Sequence, residues 1–207
     1  DGFFGDLSNQ TIFTNLRHAV DGRDFTTDTT IPALPHLYLA YKKNDWAAYF
    51  AFTIPGGGGS LEYSDGSATT EIIGGAARQQ LGLDPLLSLD VASVYYGTTF
   101  GGAWQVNDMV SVSAGVRYIY GTLDVAMDAN NEGFLGFAGD ERVLERRDTG
   151  QGVGGILSVN VTPREDLRLS LRYETTTPLS WTVDKSAIPA TLLTNLQNAS
   201  QIGRAHV

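Results

Sequence analysis

Long stretches of this chain alternate apolar and polar side chains. Val110, Val112, Ala114, Val116, Tyr118 and Tyr120 fall on one face of an extended backbone. Ser111, Ser113, Gly115, Arg117 and Gly121 fall on the other, with Ile119 the one exception. Period two marks a β-strand with a single apolar side. The same pattern sets Leu167, Leu169, Leu171 and Tyr173 against Arg168, Ser170, Arg172 and Glu174. It recurs in Leu37, Leu39 and Tyr41, in Trp46 to Ile54, in Val94 to Val106 and in Val153 to Val161. Six strands result. They are joined in pairs by three tight polar turns, Lys42-Lys43-Asn44-Asp45, Val106-Asn107-Asp108 and Thr162 to Asp166. The turns recur every 60 residues or so, and long connections separate the pairs.

Strand length adds to this picture. Runs of 9 to 18 residues exceed the roughly 5–6 usual in soluble sheets. About ten residues at ~3.3 Å each, tilted near 40°, span the ~25 Å apolar band of an outer-membrane barrel. Tyr41, Trp46 and Trp104 lie beside the short turns, and Tyr95, Tyr96, Tyr118, Tyr120, Tyr173 and Trp181 about one band height away. Two aromatic belts are a membrane-interface signature. The expected fold is therefore all-β: an antiparallel meander from a transmembrane outer-membrane β-barrel, with short turns on one side and long loops on the other. The loops run from Ser64 to Ser88, from Asp128 to Asp148 and onward from Asp184. Short helices are expected from Thr70 to Leu81 and from Leu7 to Val20, where Ile12, Leu16 and Val20 share a face.

Composition narrows the function. No segment approaches the ~18 uninterrupted apolar residues of a membrane helix, so insertion would require a closed barrel. The net charge of -9 disfavours nucleic acid as a partner. There is no cysteine, and of the three histidines only His36 sits in a strand. No Ser/His/Asp spacing, His-metal cluster or phosphate loop is visible, so no catalytic residue, metal or cofactor is expected and the chain does not read as an enzyme. Gly56-Gly57-Gly58-Gly59 lacks a following Lys-Ser/Thr and lies within a strand.

The domain reading follows from these elements. Residues 1–34 are expected to form a loop or short helix, 35–183 six antiparallel membrane strands with long loops, and 184–200 a truncated loop. Residues 201–207, Gln-Ile-Gly-Arg-Ala-His-Val, look like the in-frame translation of a sequencing-adapter oligonucleotide. The whole reads as a fragment.

The order of motifs resembles one family. Ile31-Pro32-Ala33-Leu34-Pro35-His36-Leu37-Tyr38 leads to Asn44-Asp45-Trp46, then to Ile54-Pro55-Gly56-Gly57-Gly58-Gly59 and Leu61-Glu62-Tyr63-Ser64-Asp65-Gly66. Leu89-Asp90 opens the hairpin around Asn107-Asp108. Gly150-Gln151-Gly152-Val153-Gly154-Gly155 opens the next, whose return strand is Leu169-Ser170-Leu171-Arg172-Tyr173. Over residues 30–200 this is similar to the FadL/TodX outer-membrane transporters of long-chain fatty acids and aromatic hydrocarbons.

The resemblance implies a fourteen-stranded barrel with an N-terminal hatch, monomeric when complete, of which this chain holds strands two to seven. It implies a bacterial outer-membrane location, contact with membrane lipid and lipopolysaccharide, and passive uptake of hydrophobic small molecules. A lateral ligand passage is implied at the strand break Pro55, Gly56, Gly57, Gly58 and Gly59. Arg117, Arg168 and Arg172 are expected to face the lumen, where they either attract a carboxylate head group or balance Glu174. A porin, a soluble lipocalin-like barrel and a barrel enzyme stand as alternatives.

Overall fold

The computed structural model describes residues 1–20, 22–81, 86–130 and 140–187. They form one antiparallel meander, β1 (Gly2–Val20), β2 (Arg23–Lys43), β3 (Trp46–Tyr63), β4 (Leu87–Gln105), β5 (Val110–Asn130), β6 (Asp140–Arg164), β7 (Leu167–Glu174) and β8 (Ser180–Ala187). A helix, α1 (Ala68–Leu81), follows β3. Neighbours in sequence pair in space from β1 to β7, and β8 pairs with the far half of β6. The sheet curls into a half-barrel. The fold class expected from alternation is therefore observed.

The turns at Asn44-Asp45, at Val106–Met109 and at Glu165-Asp166 lie at one end of the sheet, as the registers require. Asn44 adopts φ 53°, a conformation Asn tolerates better than most residues. Asn107 closes its turn by accepting hydrogen bonds from the Met109 and Val110 amides, both 2.9 Å. This is termed the turn end below, and the opposite end, which carries α1, the loop end.

The N-terminal segment departs from expectation. The described residues of 1–34 form β1 and the first half of β2 where a loop or helix was expected, with Val20 opposite Arg23 at the loop end. Ile12, Leu16 and Val20 are spaced by four, which places them on one face of a strand as well as of a helix. Pairing with β2 from Gly2–Lys42 to Val20–Arg23 decides for the strand. The sixth expected strand is also split, since β7 ends at Glu174 and pairing with β6 resumes at Ser180. Of the segment expected as a truncated loop, Asp184–Ala187 belongs to β8. Residues 188–200 and the adapter-like 201–207 lie outside the described residues. The helix expected over Thr70–Leu81 is present.

The strands carry an inversion of polarity along their length. On the turn half, the convex face is apolar: Phe100, Trp104, Val116, Val153, Leu157, Leu171 and Tyr173 are all exposed. The concave face there holds Ser113, Gly115, Arg117, Gly154 and Ser158, mostly half-buried. On the loop half the phase reverses. Leu61, Tyr63, Leu89, Val91, Val125, Met127 and Leu144 now belong to the concave face and pack into the main apolar cluster. The convex face carries Glu62, Asp90, Asp124, Asp128, Arg142 and Arg147. No bulge causes the switch in β4 and β5, whose ladder runs unbroken from Leu87–Ala129 to Gln105–Ser111. The residue type changes while the backbone continues. Ile119, the exception to the alternation, stands where the inner set turns apolar.

Arg147 pairs with Asp124 and Arg142 with Asp128 across β5 and β6. Hydrogen bonding to these carboxylates raises both guanidinium pKa values above the ordinary arginine value. Such half-exposed pairs add little stability, and they make the convex surface at this end a charged one.

Candidate functional site

Two features of the sheet stand out. The first lies on the concave face of the turn half. Inward positions Asp6, Tyr38, Ala51, Thr99, Arg117 and Gly154 are consecutive register partners across six strands. A cavity of about 510 Å³ opens on this face, lined in part by Tyr38, Tyr49, Thr99, Ser113, Arg117 and Arg172. Small residues make the room. A Cβ at Gly101 or Gly115 would lie 2.2 or 2.5 Å from the Tyr49 ring or hydroxyl, so Tyr49 lies across both positions.

Two of the three expected luminal arginines converge here. Arg117 Nη1 donates to Glu174 Oε2 at 2.8 Å, and Arg172 Nη2 reaches Glu174 Oε1 at 2.6 Å. Arg117 Nε also donates to Thr99 Oγ1 at 3.4 Å. One carboxylate thus holds two cations, leaving a net positive group whose better-buried member, Arg117, is 20% exposed. Arg168 shares the face of Arg172 by alternation, is exposed, and joins no ion pair among the described residues. The balancing role of Glu174 is present in the geometry. The acidic residue Asp6 also lines this cavity.

The second feature is the segment Pro55–Gly59. β3 continues through it and keeps its pairing with β4, but two register shifts, at Thr53/Gly56 and Gly57/Gly59, each insert one extra residue. Gly57 and Gly58 take φ 69° and 101°, conformations open to glycine at little steric cost. On the other side of β3 the consequence is larger. The β2–β3 ladder runs from Lys43–Trp46 to Leu37–Phe52 and stops. Beyond it, Arg23 to His36 pair only with β1. The sheet wall therefore loses its hydrogen-bonded seam between β2 and β3 at the level of the bulges.

The loop half of the β1–β2 hairpin is held instead by side chains. His18 stacks on Phe25 at 5.4 Å and meets Tyr63 edge-on at 5.5 Å. His18 Nε2 accepts a hydrogen bond from the Ala68 amide at 3.1 Å, at the first turn of α1. Ser67 and Thr70 cap that turn reciprocally, and Arg23 pairs with Glu71 at 2.6 Å. The contacts of His18 with Tyr63 and Ala68 and of Arg23 with Glu71 were not visible in the sequence, because they join residues some 45 to 50 positions apart. His36 faces Ser8 across the β1–β2 ladder and is half-buried.

The aromatic residues divide differently from the sequence reading. Trp46 and Trp104 are direct register partners at the turn end, with Tyr41 5.7 Å from Trp46. Tyr96, Tyr118 and Tyr120 lie on the convex face, the last two exposed 41% and 38%. Tyr95 and Trp181 instead turn inward. They meet edge-on at 6.2 Å above Gly121 and Gly150, whose missing side chains admit the Trp181 ring. Tyr173 is on the convex face opposite Leu157, in the middle of the apolar zone rather than at its edge. Comparison with family models, with curated proteins and with solved structures finds no match for this chain.

Proposed function

We propose that this chain is part of a bacterial outer-membrane β-barrel that lets hydrophobic compounds, long-chain fatty acids or aromatic hydrocarbons, pass inward by diffusion. The polarity inversion is the observation that carries the reading. A sheet with water outside along its whole length has no reason to expose Phe100, Val116, Leu157, Leu171 and Tyr173 together, because contiguous apolar patches of this kind are rare on soluble monomers. Lipid outside the turn half and water outside the loop half explain both phases. The apolar convex run of β5, Val110 to Tyr120, measures ~34 Å along the strand at ~3.4 Å per residue. Tilted by ~40° it spans ~26 Å, the thickness of an outer-membrane apolar band.

A soluble lipocalin-like barrel fits less well, since its apolar residues would point inward from end to end. Within the barrel reading, the Arg117–Glu174–Arg172 group supplies a positive spot for a carboxylate head. The concave apolar zone near the loops supplies a place for a hydrocarbon to leave water. No chemistry is required of either, only graded affinity along the route. The motif order resembling the FadL/TodX transporters supports the same substrate class, and by that resemblance the turns face the periplasm.

The test is uptake of radiolabelled palmitate and toluene by cells expressing the complete reading frame in a host lacking its own hydrocarbon transporter. Uptake of either compound above the host background supports the proposal. Background uptake of both, with the protein present and folded in the outer membrane, overturns it.

A further inference from the structure

The loop half of the β1–β2 hairpin has no ladder to β3, yet side chains hold it there. A Cβ at Gly58 would collide with the Leu34 side chain and one at Gly59 with that of Ile31, so these two residues fill the space that the glycines leave. Nearer the loops Phe25 is buried, and the buried hydroxyls of Thr27 and Thr29 share a hydrogen bond at 3.4 Å. The last member of this series is His18, stacked on Phe25 and edge-on to Tyr63. Tyr63 in turn belongs to the concave apolar cluster with Leu87, Leu89 and Met127. The turn before α1 closes the same corner: a Cβ at Gly66 would lie 3.0 Å from the Leu87 carbonyl oxygen and 3.6 Å from the Phe25 ring.

His18 does more than pack. A helix leaves its first amides without partners of its own. In α1, Ser67 Oγ accepts from the Thr70 amide at 3.3 Å and Thr70 Oγ1 from the Ser67 amide at 2.6 Å. The Ala68 amide instead donates to His18 Nε2 on β1, at 3.1 Å. Only a neutral imidazole with its proton on Nδ1 can accept there. The imidazolium has two N–H donors and no acceptor, and it would stand against the positive end of the helix dipole. Both effects act in one direction: the contact is present while His18 is neutral and is lost as falling pH protonates it. Imidazole is the side chain whose charge ordinarily changes between about pH 5 and 8. The charged groups nearby are already engaged. Arg23 on β2 pairs with Glu71 on α1 at 2.6 Å, and Arg17 pairs with Asp24 on the opposite face of the hairpin. Tyr63 on β3 meets His18 through its ring, and Asp65 is exposed.

We propose that His18 is a pH-sensitive latch: neutral, it caps α1 and ties that helix to the β1–β2 hairpin at the loop end; protonated, it lets α1 go. Release leaves the Arg23–Glu71 pair, whose arginine is half-exposed and so a weak tether. The latch borders the concave apolar cluster through Tyr63. On the transport reading above, its release at low pH widens the approach of an apolar ligand to that cluster.

Hydrogen exchange tests the latch without reference to uptake. In the complete barrel in lipid vesicles, the α1 amides from Glu71 onward should lose protection about tenfold between about pH 8 and pH 5, after correction for the intrinsic exchange rate. Two variants assign the effect. His18→Gln keeps an acceptor at every pH and should stay protected throughout; His18→Phe keeps the ring packing without an acceptor and should be poorly protected throughout. Unchanged protection of the wild-type protein would overturn the latch, and so would a pH response that survives in either variant. Background uptake of palmitate and toluene would remove the transport reading and leave the latch standing.

Discussion

Neighbouring glycines in β3 should respond to alanine with opposite signs. At Gly57 a Cβ would lie 2.2 Å from the Ser93 carbonyl oxygen and 2.7 Å from its carbon, on a backbone at φ 69°. A left-handed φ alone costs a residue with a Cβ ~1–2 kcal/mol. The obstacle is backbone, so relief requires moving β3 off β4 and losing about two ladder bonds, worth ~1–1.5 kcal/mol each. Gly57→Ala should therefore destabilise the sheet by ~3–5 kcal/mol. At Gly56 the nearest atom to a Cβ is Tyr95 Cδ2 at 3.5 Å, an ordinary contact on a backbone that any residue adopts. There alanine lowers the entropy of the unfolded chain and should stabilise by ~0.4–1 kcal/mol. Urea titration in lipid vesicles, followed by the fluorescence of Trp46, Trp104 and Trp181, measures both variants of the complete barrel. Equal stability of the two would refute the double bulge and the loss of the β2–β3 seam derived from it.

Three further outcomes are expected. Val116→Arg, on the convex face of the turn half, should cost ~2–4 kcal/mol in lipid, while Ala126→Arg, on the same strand beyond the inversion, should cost ~0–1; the same urea titration reads both. Glu174→Gln removes the carboxylate that holds Arg117 and Arg172 and should raise palmitate uptake relative to toluene, whereas Arg117→Ala should lower that ratio; equal changes for both compounds would leave the group a structural one. In intact cells an impermeant thiol reagent should label Ser64→Cys at the loop end and spare Asn107→Cys at the turn end, and the reverse pattern would invert the topology.

Between Leu37 and Tyr173 the turn-half strands were legible because their environment differs on two sides, so residue type follows period two, whereas Asp128–Asn130 and Asp140–Asp148, expected as loop, extend β5 and β6. β1 was not legible. It is an edge strand, exposed at most positions, and neither face selects strongly for apolar residues. Its Ile12, Leu16 and Val20 satisfy helix and strand spacing alike. The phase reversal was present as Ile119, Leu123, Val125 and Met127, all on the inner side, but alternation by itself does not tell which face meets lipid. Register with β4 and β6 was needed to show that β3 to β6 change phase at one height. The glycine segment was legible as an irregularity within a strand. That Leu34 and Ile31 fill it was not, since the contact joins residues on strands that no longer pair there.

In the proposed barrel, lipid surrounds the turn half and water the loop half. Single cysteines at Phe100, Val116 and Leu157, and at Asp90 and Asp124, can each carry a fluorescent label in the complete barrel, because the chain supplies no cysteine of its own. Quenching by lipids brominated on their acyl chains then reports contact with the bilayer interior. Strong quenching at the first three positions and none at Asp90 and Asp124 is the predicted result; uniform absence of quenching at Phe100, Val116 and Leu157 would contradict the account.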